Sequence, residues 1–305
     1  MAKAKAIKIM IRNLFRALRL PFIGASILPF IFGSLIVRKN FNPAGFLWGL
    51  LAVIFTHSSA NLINDYSDSR SGADWSDKNS YGFFGGSKLI QEGVFSEKFY
   101  LAAAVCCAGL ASFCVILLAL NLKTCFVLWM YLLIIISSWQ YTARPLAFSY
   151  NYLGELFLFI SLGPALVMGG YFIQSGIFPD LKSFILSLPF GFFIASVLFA
   201  NEVPDFSEDR KAGKNNLVSL CGAEKAYLVY YALVFLGLLS IFAALGLGYL
   251  GVISVFSILI VFPAIKAGRI LKMSYSDKPK LMPSSRAAIN IQTLAGIILI
   301  LSLWI

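Results

Sequence analysis

The chain has 305 residues, 59% of them hydrophobic and 13% charged, where soluble domains carry about 25% charged residues. That composition excludes a water-soluble globular protein. The net charge of +11 does not point to nucleic acid, because the basic residues sit between apolar runs, where membrane topology places them.

In chain order, residues 1–20 come first. They hold Lys3, Lys5, Lys8, Arg12, Arg16 and Arg19 and no acid, and Ile7, Ile11, Leu14, Phe15 and Leu18 recur every three or four positions. This pattern predicts a basic amphipathic helix lying in the membrane interface. No small-residue cleavage site follows, so the segment is read as mature sequence. Residues 21–305 then carry nine apolar segments, at 21–37, 46–64, 99–120, 125–141, 152–173, 183–203, 226–246, 249–265 and 287–304. Each is near the about 20 residues that cross a hydrocarbon core of about 30 Å. None shows the alternation of a membrane β-barrel. The expectation is one all-α polytopic membrane domain over 1–305 with nine transmembrane helices. Cys106, Cys107, Cys114, Cys125 and Cys221 lack paired spacing and read as small buried hydrophobes.

The loops alternate in charge. Of the 25 basic residues, all but Arg38, Lys39, Lys123 and Lys182 fall on the side that holds the N-terminus and loops 2–3, 4–5, 6–7 and 8–9. The positive-inside rule puts that side in the cytoplasm and the C-terminus outside.

Nearly all the acids occupy two of those loops, in two matched sets. "NLINDYSDSRSGAD" closes the second segment and "ANEVPDFSEDRKAGKNNL" the sixth. Asn61 and Asn201 are 140 residues apart, as are Asp65 and Asp205. Each set has a further Asp (Asp68; Asp209), then Arg and Gly (Arg70 and Gly72; Arg210 and Gly213). Residues three or four apart share a helix face. Asn61, Asp65 and Asp68 therefore form one stripe, and Asn201, Asp205 and Asp209 another. Like charges that close stay ionised only beside cations. Hard oxygen donors suit Mg²⁺, which takes one or two carboxylates plus substrate phosphates. Arg70, Lys88, Arg144, Arg210 and Lys214 are the bases placed to receive phosphate oxygens. His57, the only histidine, lies one turn deeper on the first stripe and is expected to face the same space. Glu202 points about 100° away from Asn201 on a helix and is expected to pack elsewhere.

The two motifs resemble the aspartate-rich motifs of the UbiA superfamily of intramembrane prenyltransferases. "YTARPLAF" (141–148), "LGELFLFISLGPALVMGGYFIQ" (153–174) and "GGSKLIQEG" (85–93) are most similar to the branch that prenylates 1,4-dihydroxy-2-naphthoate in menaquinone synthesis. Two positions depart from that pattern: Asn215-Asn216 where the family has Thr, and Pro204 where it has a base. The resemblance implies a nine-helix bundle around a central cavity, in a bacterial or archaeal cytoplasmic membrane with the site facing the cytoplasm. It implies Mg²⁺ as cofactor, a polyprenyl diphosphate donor and an aromatic acceptor. Asn61, Asp65, Asp68 and Asp74 would hold one metal, and Asn201, Asp205 and Asp209 the other. Asp65, Asp68, Asp205 and Asp209 would be catalytic. Asn64, Arg70, Lys88, Arg144, Arg210 and Lys214 would bind diphosphate, and His57, Tyr141 and Glu155 would face the acceptor. Other acceptors in the superfamily are 4-hydroxybenzoate, homogentisate, haem and lipid phosphate. A reading of another class is a cation-coupled transporter, whose acids belong at the bilayer midplane in broken helices. The acids here lie at helix ends beside bases.

Overall fold

The computed structural model describes residues 2–37, 39–75, 79 and 81–304, with side chains from Ile7 onward. Arg38 and Lys78, both used in the charge count above, lie outside the described residues, as do the side chains of Lys3 and Lys5. Among the described residues every regular element is helical, apart from one isolated parallel bridge between Asn151 and Asn215.

Helix α1 (Ala2–Ala17) exposes Ile7, Met10, Ile11 and Phe15. Arg19 then takes a left-handed backbone (φ 48°) before a 3-10 turn at Leu20–Phe22 that leads into α2 (Gly24–Leu35). The path bends by 47° at that break. Helix α3 (Pro43–Ser71) starts where the Asn42 side chain accepts the Gly45 N–H at 2.9 Å and Pro43 supplies a preset φ, and it ends at Gly72 (φ 86°). The helix therefore continues past the predicted boundary at 64, and the first motif is helical as far as Ser71. Ser96 caps α4 (Glu97–Leu122), and α5 (Phe126–Trp139) follows. Segment 152–173 is two helices, α6 (Gly154–Leu162) and α7 (Pro164–Ser175). They part at Gly163-Pro164, because proline lacks the N–H that would continue the ladder. Asp180 caps α8 (Leu181–Lys211) through the Ser183 N–H at 2.7 Å. The remaining helices are α9 (Leu217–Cys221), α10 (Ala226–Gly246), α11 (Val261–Ser274, preceded by a 3-10 stretch Val252–Ile260) and α12 (Lys278–Ser302).

All nine predicted segments are thus helical, with segment 152–173 broken in two and the ends of several others shifted. Among the described residues seven helical stretches are long and apolar enough to cross a membrane, or eight if the bent α1–α2 path is counted as one. Helix α5, the fourth predicted segment, has 14 residues, short of the about 20 a span needs. Helix α12 begins at Lys278 rather than 287, which carries that lysine into the helical body.

Helix α8 is the axis. It packs against α6, α7, α10 and α12 and is buried along most of its length. Phe190, Phe193 and Val197 on it meet Tyr230 and Ile241 of α10 and Ile291 of α12. Helix α3 pairs with α4, and α2 with α7. The α2–α7 crossing depends on small residues. A Cβ on Gly170 would stand 2.5 Å from the Phe30 carbonyl oxygen and 2.8 Å from Ser34 N. Between helices in lipid such close approach, rather than hydrophobicity, drives association. The outer surface fits that setting, with Leu120 69%, Trp129 66% and Phe262 74% exposed.

Candidate active site

The C-terminal ends of α3 and α8 converge on one cavity of about 490 Å³. Asn61, Asn64, Asp68 and Asp74 line it from the α3 side, and Asn201, Glu202, Asp205, Glu208 and Asp209 from α8. The two sequence motifs, 140 residues apart, therefore face a common space. Away from them the lining turns apolar and aromatic, through Val53, Leu158, Ile194 and Leu198 to Phe126, Phe172 and Phe178.

Each motif acid has its charge met by a different part of the chain. Asp65, 2% exposed, takes the Ser87 N–H at 3.2 Å and is paired with Arg19, delivered from the α1–α2 turn. Asp68 accepts the Tyr150 hydroxyl at 3.0 Å. Asp74 is paired with buried Lys88, whose Nζ lies 2.9 Å from both its Oδ1 and its carbonyl oxygen. Asp205 accepts the Gly85 N–H at 2.9 Å and lies 3.6 Å from Lys278 Nζ. Asp209 accepts Asn216 Nδ2 at 3.2 Å and lies 3.7 Å from Lys214 Nζ. Asn216 also caps α9, which gives a local reason for Asn at a position where the family pattern has Thr. The bridge between residues 151 and 215, with Tyr152 N–H on the Asn215 carbonyl at 2.8 Å, holds the Tyr150 loop beside the Lys214 loop.

Two of these groups lie outside the spans, and their protonation is informative. Burial first, and then the neighbouring Asp68 charge, push the Asp74 carboxyl up to about 6 against the pull of Lys88. Burial alone would lower the Lys214 ammonium, but Asp209 and Asp68 outweigh it and hold Lys214 well above the usual lysine range. The site thus combines a carboxyl, Asp74, that holds its proton more tightly than usual with a base, Lys214, fixed as a cation.

The donor set fits a hard divalent cation only as part of a ternary site. Among the described residues no three carboxylate, histidine or cysteine groups converge on one point. Two carboxylates do. At Gly86 (φ 74°) the place of the missing Cβ lies 2.9 and 3.2 Å from the Asp74 oxygens and 3.4 Å from Asp65 Oδ1. Mg²⁺ takes one or two protein carboxylates and completes its octahedron with water and substrate phosphate, so a cradle of two acids matches it.

The remaining sequence candidates divide. His57 lines the cavity with its Nδ1 2.7 Å from Ser26 Oγ and its Nε2 without a partner. Asn61 donates to the His57 carbonyl at 3.1 Å, Asn64 accepts Thr142 Oγ1 at 2.7 Å, and the Asn201 Oδ1 has no partner. Tyr141 lines the cavity. Lys88 and Lys214 do so as well, whereas Arg70, Arg144 and Arg210 are exposed and outside its lining. Arg70 lies on Tyr66 and donates to its hydroxyl at 3.0 Å. Glu155 is also outside the lining, and its Oε1 receives the Leu217 N–H at 2.8 Å at the start of α9. Arg19 and Lys278 reach the cavity although neither was a sequence candidate. Glu202, expected to pack elsewhere, lines the cavity and is 4% exposed. It does so because this stretch of α8 is enclosed, with no exposed residue between 185 and 206.

Fold and site together define a polytopic membrane protein with an acid- and base-lined cavity that becomes apolar with depth. The chain belongs to the UbiA prenyltransferase family, whose family model matches residues 26–291. It is similar to the 1,4-dihydroxy-2-naphthoate octaprenyltransferase of Bacillus subtilis (strain 168), 27% identical over 207 residues, 66% of this chain and 63% of that protein. It is also similar to the UbiA prenyltransferase domain-containing protein 1 of Mus musculus, 30% identical over 229 residues, 72% of this chain and 64% of that protein. The matches span less than two thirds of those relatives' own length. Among solved structures, a UbiA homolog from Aeropyrum pernix K1 has a TM-score of 0.68 at 18% identity, covering 90% of this chain and 94% of that one. A UbiA homolog from Archaeoglobus fulgidus, solved with GPP and Mg²⁺, has a TM-score of 0.64 at 18% identity, covering 94% and 99%. Both likenesses are of fold.

Proposed function

We propose that the protein transfers a polyprenyl group from its diphosphate to an aromatic acceptor, with 1,4-dihydroxy-2-naphthoate the first acceptor to test. The observation that carries this reading is the cavity itself: two acid motifs and four cations at one end, an apolar bore beyond. Leu133 of α5 both lines the cavity and is 61% exposed, which supports a lateral opening to lipid for a prenyl chain. The B. subtilis relative supports the naphthoate acceptor and menaquinone synthesis. The A. fulgidus neighbour supports Mg²⁺ and a prenyl diphosphate. We read the whole chain as one membrane unit, count α5 and the α1–α2 path as spans to reach nine, and place the site on the cytoplasmic side by the charge of its loops. The α6–α7 break is the broken helix a transporter reading would need, but the motif acids are on α3 and α8, not there.

In this reading Asp65 and Asp74 with Asn61 and Asp68 hold one Mg²⁺, and Asp205 and Asp209 with Asn201 the other. Bound there, Mg²⁺ supplies charge neutralisation for the diphosphate leaving group. Lys88, Lys214, Arg19 and Lys278 take the remaining phosphate charge, with Asn64 beside them. The allylic C–O bond breaks with its electron pair going to diphosphate. The apolar and aromatic walls exclude water from the allylic cation. An electron-rich ring carbon of the acceptor then attacks, and the ring loses its carboxylate as CO₂ or its proton. His57 and Tyr141 face the acceptor.

The test is an acceptor panel with purified protein, Mg²⁺ and labelled farnesyl or geranylgeranyl diphosphate. Product with 1,4-dihydroxy-2-naphthoate is expected. Product only with 4-hydroxybenzoate, homogentisate, haem or a lipid phosphate keeps the reaction and moves the acceptor. No transfer to any of them contradicts the proposal.

A further inference from the structure

Among the described residues six carboxyl groups line the cavity: Asp68, Asp74, Glu202, Asp205, Glu208 and Asp209. Five of them have partners. Asp68 has Tyr150, Asp74 has Lys88, Asp205 has the Gly85 amide, Asp209 has Asn216, and Glu208 has Ser207 at 2.7 Å and Lys278 at 3.0 Å. Glu202 meets only another carboxyl, that of Glu155. It is 4% exposed, and among the described residues no amide, hydroxyl or basic group donates to either of its carboxyl oxygens. A buried polar group left without a donor is costly to the fold. A chain that meets the charge of every other cavity acid, and leaves this one open toward the cavity, presents an acceptor for a donor that arrives from outside.

The neighbours of Glu202 say what kind of donor. Tyr141, which also lines the cavity, is a near neighbour of Glu202. Its ring packs on Phe157 at 5.6 Å between centroids, and Phe157 stacks on Phe148 at 5.2 Å with planes 20° apart. Phe157 lines the cavity too. A flat aromatic wall beside an unpartnered carboxyl suits a ring that bears a hydroxyl. The ring lies along the aromatic side chains while its O–H donates to the carboxyl. A phosphate is disfavoured there, since the Glu155 carboxyl also borders Glu202 and no donor group among the described residues reaches its Oε2. A prenyl chain offers no donor at all.

We infer that Glu202, together with the Tyr141–Phe157 wall, is the receiving site for a hydroxyl group of the aromatic acceptor, and so selects hydroxylated rings over their ethers. This rests on the prenyl-transfer reading above and assigns Glu202 a contact with substrate. Its role is to position the ring and to discriminate between rings.

The experiment compares wild type, Glu202→Gln and Glu202→Leu in Mg²⁺-dependent transfer to 1,4-dihydroxy-2-naphthoate. Alongside it, competitive inhibition is measured with 1-hydroxy-2-naphthoate and its 1-methyl ether. A buried hydrogen bond left unmade is worth roughly tenfold to a hundredfold in binding. Glu202→Leu is expected to raise the acceptor KM by about that factor, leave the donor KM within about twofold, and melt within a few degrees of wild type. Glu202→Gln keeps a carbonyl acceptor and is expected to recover part of the loss. The hydroxyl analogue should bind wild type about tenfold more tightly than its ether and bind Glu202→Leu no better than the ether, because the two deletions remove one interaction. An unchanged acceptor KM in Glu202→Leu, or a hydroxyl preference that survives in it, overturns the inference and leaves the transfer reading standing. If Glu202→Leu fails to fold, the Gln variant and the wild-type preference between the two analogues decide. No hydroxyl preference in wild type overturns the inference. Wild type that transfers no prenyl group to any acceptor overturns the function and this inference with it.

Discussion

Replacing Gly86 by alanine isolates the two-acid cradle from the rest of the site. Gly86 has φ 74°, and an added methyl group would stand 2.9 Å from Asp74 Oδ2 and 3.4 Å from Asp65 Oδ1. Two effects combine in that one change. A left-handed backbone costs a non-glycine residue about 1–2 kcal/mol, a factor of about 5 to 30 in the population of that loop conformation. The methyl group also fills the space where the two carboxylates converge. Gly82 separates the effects, since it has φ 80° with nothing among the described residues within 4 Å of the same position. Both variants carry the backbone penalty, and only Gly86→Ala blocks the cradle. The assay is transfer rate against Mg²⁺ concentration, with thermal unfolding in detergent run in parallel. Gly82→Ala should leave the Mg²⁺ half-saturation within about threefold, and Gly86→Ala should raise it more than tenfold with a similar loss of melting temperature. Equal Mg²⁺ responses in the two variants would show that the space between Asp65 and Asp74 is not where the cation sits.

Other consequences follow from the same geometry. The Asp74 carboxyl titrates near 6, so protons compete with Mg²⁺ below that pH, and half-saturation should rise steeply as pH falls from 7 to 5. The sign for stability is the reverse of the usual acid. An acid raised from about 3.9 binds its proton more tightly in the fold, so without Mg²⁺ its contribution stabilises at low pH and is lost as pH rises through about 6. Melting of metal-free protein between pH 5 and 7.5 checks it, with the Asp74→Asn variant losing that slope. Lys214→Met should raise the donor KM more than tenfold, whereas exposed Arg70→Ala, Arg144→Ala and Arg210→Ala should change it less than about threefold, measured by initial rates against donor. Gly170→Leu forces a side chain into the α2–α7 crossing and should destabilise by about 3 kcal/mol or more, read as a large fall in detergent melting temperature, while Gly169→Leu, with nothing within 4 Å of its Cβ position, should not.

The acids were legible because their signal is local. Asn61, Asp65 and Asp68 repeat in register at Asn201, Asp205 and Asp209, and the helices that carry them extend from apolar runs. The cations that meet those charges were only half legible. Lys88 and Lys214 sit inside the motif loops. Arg19 is one of six bases in a basic N-terminal segment, and the left-handed turn at φ 48° that swings it onto Asp65 leaves no mark in a helical wheel. Lys278 lies in a loop by hydropathy but starts α12 in the fold, capped by Asp277. Arg70 and Arg210 fall inside the motifs and Arg144 just before Pro145, but all three side chains are exposed and outside the cavity lining. Glu202 shows the limit of angular arguments: on a helix enclosed by α6, α7, α10 and α12, a residue 100° from the motif stripe still faces protein or cavity. Glu155 shows the same in reverse, since a buried acid near a motif can be taken up by a backbone N–H, here that of Leu217.

The most direct test of the central claim is the stoichiometry of one reaction. Wild type, Asp205→Asn and EDTA-treated wild type are given labelled polyprenyl diphosphate and 1,4-dihydroxy-2-naphthoate in detergent, and diphosphate release and prenylated ring are counted together. Equal amounts of the two products from wild type, with both falling by at least about a hundredfold in Asp205→Asn and in EDTA, are the predicted result. Donor left intact by wild type, or turnover that survives the loss of both Asp205 and the metal, would contradict the account.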